Sequence, residues 1–228
     1  MWTKAVVLFD WDGTLLDTRD LVRESTRHAL REVLGRSVDD EALRPYYGET
    51  LERQFRGLVP EADDMLVARL VAAYRAHNQA VHDEWAVPRP GAVEVVRTLY
   101  GAGIGLGVVS SKRQDMLERG LRLMGLGEEF AVIVGLERTT RHKPHPDPIF
   151  AALAVWPGLT PRQAAMVGDS PYDMEAAVRA GVDAVAVVSN TFTRDELIRA
   201  GAAQVLDDLR DLIPWLRGEN RRDTGGAS

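Results

Sequence analysis

Close to its start, the chain reads Val6-Val7-Leu8-Phe9-Asp10-Trp11-Asp12-Gly13-Thr14-Leu15-Leu16-Asp17. Its apolar half is short enough to be a buried β-strand, and two carboxylates one residue apart follow at once, before a Gly-Thr turn. Ligands of an open α/β sheet bind beyond the carboxyl ends of its strands. The stretch therefore predicts a strand that carries Asp10 and Asp12 to a ligand-binding edge.

The spacing of Asp10 and Asp12 brings two negative charges close together. Strand alternation sends side chains two positions apart to the same side, where two negative charges repel each other unless a cation or a shared proton relieves them. A helix cap is the simpler role for one of them, but Asp17 and Thr18 are available for that purpose. The pair therefore predicts a bound metal ion.

The composition is that of an ordinary soluble globular protein. The chain has 228 residues, of which 45% are hydrophobic and 27% charged, enough for one large core or for a core with a small second domain. The net charge of −6 and the pI of about 5.4 argue against nucleic acid and membrane surfaces as partners. The absence of cysteine excludes disulfides, thiolate metal sites and a cysteine nucleophile.

The first residues do not resemble a targeting signal. Met1-Trp2-Thr3-Lys4 leads straight into the first predicted strand, and no apolar run approaches the length of a membrane span. We expect a cytoplasmic protein, either a monomer or a homodimer.

Lysine is scarce in this chain. Of 28 basic residues, only Lys4, Lys112 and Lys143 are lysine. Lys112 follows a strand-like run and Lys143 lies in a proline-rich loop, and a compact ammonium is suited to act as a point charge on a phosphate. These two positions are therefore candidates for a phosphate-binding site.

The first part of the chain is helical, and the rest alternates strands and helices. Helical spacing of apolar residues predicts a helix over 19–35, ended by Gly35, and a long helix after Pro60, with a short helix around Phe55 between them. No strand is predicted over 18–86. The predicted organisation is a core domain over 1–17 and 87–218, a helical cap domain over 18–86, and a disordered tail over 219–228.

The second half of the sequence predicts a parallel sheet. Short apolar runs bounded by turn residues predict strands over 105–109, 131–134, 164–168 and 184–188, and helical segments separate them. Alternation of strands and helices is typical of a parallel sheet covered by helices on both faces. The predicted fold is therefore a doubly wound α/β domain with an inserted helical domain.

Four polar clusters follow predicted strands or lie in the loops beyond them. They are Asp10/Asp12, Ser110/Ser111, Lys143 and Asp169/Asp173. The carboxyl ends of the strands of a doubly wound sheet meet at one crevice, so the four clusters are expected to converge. A phosphoryl group needs cations, hydrogen-bond donors and an in-line nucleophile around it. Together the clusters therefore predict a site for phosphoryl transfer.

Each carboxylate has a predicted role. Asp10 is the candidate nucleophile, because a carboxylate can form an aspartyl-phosphate that divides one difficult displacement into two easier ones. Asp12 is the candidate general acid and base. Asp169 and Asp173 stand four positions apart at a helix start, and with Asp10 and the backbone carbonyl of Asp12 they are predicted to hold an oxygen-ligated Mg²⁺.

The remaining candidates bind the oxygens of the transferred phosphoryl group. Ser110 offers a hydroxyl group and Lys143 a positive charge, which makes Lys143 both a binding and a catalytic candidate. Backbone N–H groups of further residues are expected to form an anion-binding nest. These residues are Trp11, Gly13, Thr14 and Ser111. The predicted partner is a small phosphorylated metabolite.

Four segments resemble the motifs of the haloacid dehalogenase (HAD) superfamily. They are Asp10-Trp11-Asp12-Gly13-Thr14-Leu15, Val109-Ser110-Ser111-Lys112, Lys143-Pro144 and Gly168-Asp169-Ser170-Pro171-Tyr172-Asp173. The resemblance covers almost the whole chain. It implies a Rossmann-like sheet of order 5-4-1-2-3, a helical cap inserted after the first motif, and Mg²⁺-dependent phosphatase activity. Trp11 and Ser111 depart from the usual aliphatic residue and Asn, and both are expected to act through the backbone.

Other activities share parts of this pattern. The dehalogenating branch of the superfamily lacks the aspartate that Asp12 supplies here, and phosphonate hydrolysis needs a lysine that residues 18–86 do not contain. A phosphomutase shares all four motifs and stays open, as does a phosphate-binding protein without catalysis. A response-regulator receiver domain has neither the helical insertion nor the late pair Asp169 and Asp173. The pattern favours a phosphoric monoester hydrolase.

Resemblance suggests two substrates. The chain length, the small helical cap and the loop over 47–51 resemble phosphoglycolate phosphatases, which is the favoured activity. The alternative is an inorganic pyrophosphatase, because Tyr74-Arg75, Asn78 and His82-Asp83-Glu84 are similar to the cap of a bacterial pyrophosphatase of the same superfamily.

Overall fold

The computed structural model describes residues 1–219. Its strands, in chain order, are β1 (Val6–Phe9), β2 (Leu16–Asp17), β3 (Val87–Pro88), β4 (Gly105–Val109), β5 (Val132–Val134), β6 (Ala164–Gly168), β7 (Asp183–Val187) and β8 (Gln204–Leu206). Its α-helices are α1 (Arg19–Leu34), α2 (Asp40–Leu43), α3 (Leu51–Leu58), α4 (Asp64–Trp85), α5 (Ala92–Gly101), α6 (Gln114–Leu123), α7 (Asp147–Leu153), α8 (Pro171–Ala180), α9 (Arg194–Arg199) and α10 (Leu212–Leu216).

The main sheet within residues 1–219 has six parallel strands in the order β5-β4-β1-β6-β7-β8. This confirms the predicted doubly wound α/β fold. If the strands of this sheet are numbered along the chain, the first five lie in the order 5-4-1-2-3 that the resemblance implies. β8 adds a sixth strand at the edge. The sequence pattern does not predict β8, because a strand of three residues shows no readable periodicity.

β1 lies inside the sheet and pairs with a neighbour on each side. Val6 is in register with Gly105 of β4 and with Ala164 of β6. All four residues of β1 are buried, and alternate side chains enter the apolar clusters on the two faces of the sheet. A strand covered on both faces needs an unbroken apolar run, which is what the sequence provides. Asp10 and Asp12 therefore leave the sheet between the ends of β4 and β6.

Helices α1, α3 and α4 share an apolar core that is separate from the two clusters on the sheet. Ala29 and Leu30 of α1 pack with Phe55 of α3 and with Leu70 and Tyr74 of α4. Residues 18–86, which we call the helical segment, are all described and contain no strand. This agrees with the prediction from apolar spacing.

Capping residues set the ends of the helices in this segment. Gly35 follows α1 in the left-handed region, with φ of +66°, and its N–H donates to the carbonyl of Arg31 at 2.9 Å. Asp63 precedes α4 and accepts a hydrogen bond from the N–H of Leu66 at 2.8 Å. The predicted end of the first helix at Gly35 is therefore confirmed.

β2 and β3 join the two connections between the helical segment and the sheet. They form an antiparallel pair in which Leu16 is in register with Pro88 and Asp17 with Val87. The N–H of Arg89 also donates to the carbonyl of Leu15 at 2.9 Å. The sequence does not predict this pair, because each strand has only two residues.

Most predicted bounds agree with the structure. β4 and β6 have the predicted limits, and β7 begins at Asp183 rather than Ala184. After β8, a short 3₁₀ turn precedes α10. The tail predicted to be disordered lies, apart from Glu219, outside the described residues. Within residues 1–219, no helix combines the length and the apolarity that a membrane span requires.

Candidate active site

The ammonium group of Lys143 lies between two carboxylates at the end of the sheet. Its Nζ donates to Oδ1 of Asp10 at 2.7 Å, to Oδ1 of Asp173 at 2.6 Å and to the carbonyl of Val109 at 3.2 Å. The Lys143 side chain is only 2% exposed. Because these contacts occupy all three N–H donors, Lys143 in this geometry acts on Asp10 and Asp173, and its direct contact with substrate stays a prediction.

Asp10, Asp169 and Asp173 form a compact group of carboxylates. One oxygen from each lies within 4.8 Å of the others, and all three residues are buried. The group forms because β1 and β6 are adjacent and parallel, so Asp10 and Asp169 leave the sheet side by side. Three carboxylates face one ammonium group here, and hard oxygen ligands are those that Mg²⁺ prefers. The donor set therefore fits Mg²⁺.

Asp173 is fixed at the first turn of α8. Its Oδ2 accepts hydrogen bonds from the backbone N–H and the hydroxyl of Ser170, at 3.1 and 2.6 Å. A side chain at Gly168 would collide with Asp173, so the glycine makes room for this carboxylate. Both oxygens of Asp173 already accept hydrogen bonds, so only their remaining lone pairs are available to a cation.

Burial makes this group of charges hard to sustain without a cation. Burial first, and then repulsion from Asp173, raises the pKa of Asp10 to about 7, although Lys143 acts to lower it. Burial and the charges of Asp10 and Asp173 also raise the pKa of Asp169 well above its usual range. Burial acts to lower the pKa of Lys143, but the two carboxylates outweigh it and raise this pKa.

These shifts predict a pH dependence of stability in the metal-free protein. The pKa of Asp10 is about 7 in the folded chain and 3.8 in the ordinary reference state, so the folded state binds more protons between these values. The contribution of Asp10 to the free energy of unfolding is therefore present below pH 4 and is lost as the pH rises to about 7, by up to about 1 kcal/mol per pH unit.

The measurement is urea denaturation of the wild type and Asp10→Asn between pH 4.5 and 7.5, in EDTA. Burial lowers the pKa values of His77 and His82, which changes stability in the opposite direction. The difference between the two proteins removes these contributions and reports Asp10 together with its effect on the pKa of Asp169. Saturating Mg²⁺ is expected to remove most of the variation with pH in the difference between the two proteins. A difference that does not vary with pH in EDTA would contradict the prediction.

The carboxylate of Asp169 leaves room only for a glycine at position 13. Its φ is +80°, and a Cβ added there would overlap the carboxylate of Asp169. We expect Gly13→Ala to displace this carboxylate and to lower activity by about 100-fold, with weaker Mg²⁺ binding.

Gly35→Ala is the matched control for Gly13→Ala. Gly35 has a similar φ of +66°, but nothing lies within 4 Å of its added Cβ. Both substitutions are expected to lower the free energy of unfolding by about 1–2 kcal/mol through backbone strain. Only Gly13→Ala is expected to lower activity in a steady-state assay. Equal activities of the two variants would contradict the role assigned to Gly13.

Asp12 lies apart from the carboxylate group and has its own partners. Thr18 donates to its Oδ1 at 2.6 Å, and Nζ of Lys112 lies 2.9 and 3.2 Å from its two oxygens. Asp12 lines a cavity between the sheet and the helical segment. Its carboxylate is therefore placed to face a bound molecule, and a contact between its backbone carbonyl and Mg²⁺ stays a prediction.

The remaining substrate-binding candidates have different surroundings. Ser110 lines the cavity and its Oγ accepts a hydrogen bond from the N–H of Lys112 at 3.2 Å. Ser111 also lines the cavity, but its hydroxyl donates to the carbonyl of Gly48 at 3.1 Å. The side chains of Trp11 and Thr14 are fully buried. A backbone contribution of Trp11 and Ser111 therefore stays a prediction, whereas the N–H groups of Thr14 and Gly13 already donate to the carbonyls of Trp11 and Leu16, at 3.3 and 2.8 Å.

The cavity is enclosed jointly by the sheet and the helical segment. Its walls contain Asp10, Asp12 and Asp169, but not Lys143 or Asp173, together with side chains from α1, α3 and α4. Those from the helical segment include Arg19, Tyr47, Glu49, Gln54, Tyr74, Arg75 and Asn78. Tyr74, Arg75 and Asn78 belong to the predicted pyrophosphatase-like set, whereas the residues 82–84 do not line the cavity.

Sequence reasoning misses two features of this site. Arg19 lines the cavity, but one arginine among many gives no signal. The pairing of Lys112 with Asp12 is also missed, although the scarcity of lysine points to Lys112. The pairing joins residues that are far apart in the sequence, which no local pattern can indicate.

Several contacts hold the helical segment against the sheet domain. The hydroxyl of Tyr172, in the first turn of α8, donates to the carbonyl of Pro45 at 2.7 Å. Arg44 donates to the carbonyl of Thr191 at 2.8 Å and forms an ion pair with Glu196. In the described residues, these contacts therefore hold the helical segment over the cavity.

Comparison with known proteins identifies the family. Residues 7–187 match the family described as haloacid dehalogenase-like hydrolase. The chain belongs to this family. The resemblance predicted from the four motifs is therefore confirmed, and the chain is a hydrolase of the HAD phosphatase type.

Similar proteins include two that carry the name pyrophosphatase PpaX. The one from Bacillus cereus strain AH820 is 34% identical over 215 residues, covering 94% of this chain and 97% of the relative. The one from Listeria monocytogenes serotype 4a strain HCC23 is 33% identical over 215 residues, covering 93% of this chain and 96% of the relative.

A solved structure shows the same fold. The crystal structure of a "predicted phosphoglycolate phosphatase" from Haemophilus somnus 129PT has a TM-score of 0.86 to this chain at 21% identity. The match covers 94% of this chain and 99% of that one. At this identity the likeness establishes the α/β fold with its helical segment and carries no argument about substrate.

Proposed function

We propose that this protein is a Mg²⁺-dependent hydrolase of inorganic pyrophosphate that works through an aspartyl-phosphate on Asp10. The observation that carries the chemistry is the position of Asp10, which is held by Lys143 at 2.7 Å beside Asp169 and Asp173. A carboxylate at the end of a strand, fixed by an ammonium group and facing a covered cavity, is suited to attack phosphorus.

Lys143 orients the nucleophile. It binds Oδ1 of Asp10, which leaves Oδ2 as the candidate attacking atom. In the first step an Asp10 oxygen forms a bond to phosphorus, and the bond from phosphorus to the bridging oxygen breaks, releasing phosphate. In the second step water attacks phosphorus, Asp12 accepts its proton, and the bond to Asp10 breaks, which restores the carboxylate; the proton then passes from Asp12 to a departing phosphate or to solvent.

A metal ion would be held by Asp10 and Asp169, with Asp173 as the third carboxylate of the group. Bound Mg²⁺ would supply positive charge that neutralises the carboxylates and the phosphoryl oxygens. Ser110 and the backbone N–H groups of Trp11 and Ser111 are the proposed donors to the transferred group, because the N–H of Gly13 already donates to the carbonyl of Leu16 at 2.8 Å. The helical segment lies over the cavity, which limits the access of water that would compete with the nucleophile in the first step.

Pyrophosphate is favoured by two observations. Relatives named pyrophosphatase match this chain over more than nine tenths of its length. Tyr74, Arg75 and Asn78 line the same cavity as Asp10 and Asp12, and the guanidinium of Arg75 is suited to bind a second phosphate group. Phosphoglycolate, which the sequence pattern favours, is the second candidate, because Tyr47 and Gly48 of the loop that carries that resemblance also line the cavity.

A substrate panel tests the proposal. Purified protein is assayed with Mg²⁺ against pyrophosphate, phosphoglycolate and other phosphorylated metabolites, with phosphate release as the readout. We expect kcat/KM for pyrophosphate to exceed that for phosphoglycolate by about 10-fold or more, the scale of one additional charged contact. A preference for phosphoglycolate would overturn the choice of substrate and leave the chemistry intact.

A further inference from the structure

Lys112 places an ammonium group inside the cavity, beside the candidate general acid. Its Nζ lies 2.9 Å from Oδ1 and 3.2 Å from Oδ2 of Asp12, and its side chain is only 9% exposed. This contact uses at most two of the three N–H donors of Nζ, and Lys112 lines the cavity together with Asp10 and Ser110. One donor therefore remains for a bound molecule.

The loop after β4 fixes the base of this side chain. The N–H of Lys112 donates to the hydroxyl of Ser110 at 3.2 Å, and its carbonyl accepts a hydrogen bond from the N–H of Leu136 at 2.8 Å. The backbone of Lys112 is therefore fixed by the loop that carries a phosphate-binding candidate, and its ammonium group is held by Asp12. A charge held in this way needs little reorganisation when the substrate reacts.

The position of Lys112 determines which part of the substrate it meets. Asp10 attacks phosphorus from one side, so the departing oxygen lies on the opposite side, next to Asp12 in the proposed mechanism. Lys112 binds both oxygens of Asp12, and a group next to Asp12 therefore lies next to Lys112 as well.

We propose that Lys112 is a leaving-group residue, whose ammonium stabilises the negative charge on the phosphate that departs from a phosphoanhydride. The inference rests on the proposed function and extends it to the kind of P–O bond that is cleaved. As the Asp10 oxygen bonds to phosphorus, the electron pair of the breaking P–O bond goes to the departing oxygen. A phosphate can leave as an anion paired with Lys112, without receiving a proton.

An alkyl phosphate such as phosphoglycolate has a different requirement. Its departing alkoxide is far more basic than phosphate, so it needs a proton from Asp12 and gains less from a fixed positive charge. Lys112 therefore favours substrates whose leaving group is stable as an anion, namely phosphoanhydrides and aryl phosphates. This gives the site a chemical preference in addition to the shape of its cavity.

The test compares wild type, Lys112→Met and Lys112→Arg on three kinds of substrate. These are pyrophosphate, phosphoglycolate and a series of aryl phosphates whose leaving groups differ in basicity. For Lys112→Met we expect kcat on pyrophosphate to fall by about 100-fold, the usual effect of removing one preorganised donor, and kcat on phosphoglycolate to fall by about 3-fold or less. Lys112→Arg is expected to recover much of the lost rate.

The aryl series gives a readout that a structural role would not change. In Lys112→Met, kcat/KM is expected to fall more steeply with increasing leaving-group basicity than in the wild type. Lys4→Met is the control for loss of a lysine, because Lys4 pairs with Asp183 away from the cavity. Circular dichroism and thermal melting establish that each variant is folded.

Three outcomes would overturn the inference. An equal fall on all substrates would mean that Lys112 only positions Asp12, and an unchanged pyrophosphate rate would mean that it has no role in the reaction. An unchanged slope in the aryl series would likewise exclude contact with the leaving group. A wild type that hydrolyses aryl phosphates and not pyrophosphate would end the substrate proposal alone, since the slope still tests Lys112. A wild type that hydrolyses none of the substrates would end both.

Discussion

Replacing Asp10 by Asn is expected to lower kcat by about 10⁴-fold or more, because removal of a nucleophile eliminates the covalent route. The amide of Asn has the size of the carboxylate, but it does not attack phosphorus as a carboxylate does. The dependence of the residual rate on substrate concentration is expected to differ from that of the wild-type rate. The measurement is phosphate release under saturating Mg²⁺, with the substrate that gives the highest wild-type kcat.

The Asp10→Asn protein is expected to stay folded. Asp10 is one of three buried carboxylates that lie within 4.8 Å of each other, so the neutral amide relieves repulsion, although Lys143 loses one charged partner. Asp20→Asn is the matched control, because Asp20 is exposed on α1 and forms an ion pair with Arg23. It should retain the wild-type rate. An Asp10→Asn protein with wild-type turnover would exclude the aspartyl-phosphate.

Replacing Lys143 by Met is expected to reduce both stability and activity. Lys143 is 2% exposed and is the ammonium partner of two carboxylates that are almost as buried. Removal of one partner leaves the other charges buried without compensation, which lowers the free energy of unfolding by about 3–5 kcal/mol. We also expect kcat to fall by about 10²–10³-fold, because Asp10 loses the donor that orients it.

Urea denaturation with and without Mg²⁺ measures the effect on stability. Saturating Mg²⁺ should restore part of the lost stability in Lys143→Met, because a bound cation neutralises the same carboxylates. Lys4→Met is the control, since its partner Asp183 is 40% exposed and a pair of that kind contributes about 0–1 kcal/mol. Equal destabilisation by the two substitutions would show that Lys143 has no special role in the buried group.

The sequence is informative where a local pattern carries the structure. β1, β4 and β6 are unbroken apolar runs that end in polar residues, so both their existence and the sheet edge they reach are predictable. Gly35 signals the end of α1 for a similar reason, because the left-handed conformation there favours glycine.

The sequence is less informative where structure depends on pairing between distant segments. β2, β3 and β8 have two or three residues each, and they are strands only because a partner lies alongside. Lys112 and Lys143 are both candidates from composition, yet only the fold shows that the first pairs with Asp12 and the second with Asp10. Charge attraction alone does not distinguish these pairings.

The antiparallel pair of β2 and β3 has a consequence for how the protein can change. Leu16 lies opposite Pro88 and Asp17 opposite Val87, so the chain leaves for the helices and comes back at positions that are only about 5 Å apart. The entropic cost of closing the inserted segment between these two positions depends only weakly on how many residues the segment contains. Helices of another length or shape could therefore be grafted at this junction while the parallel strands keep their register. Selectivity and chemistry are in this way free to evolve separately.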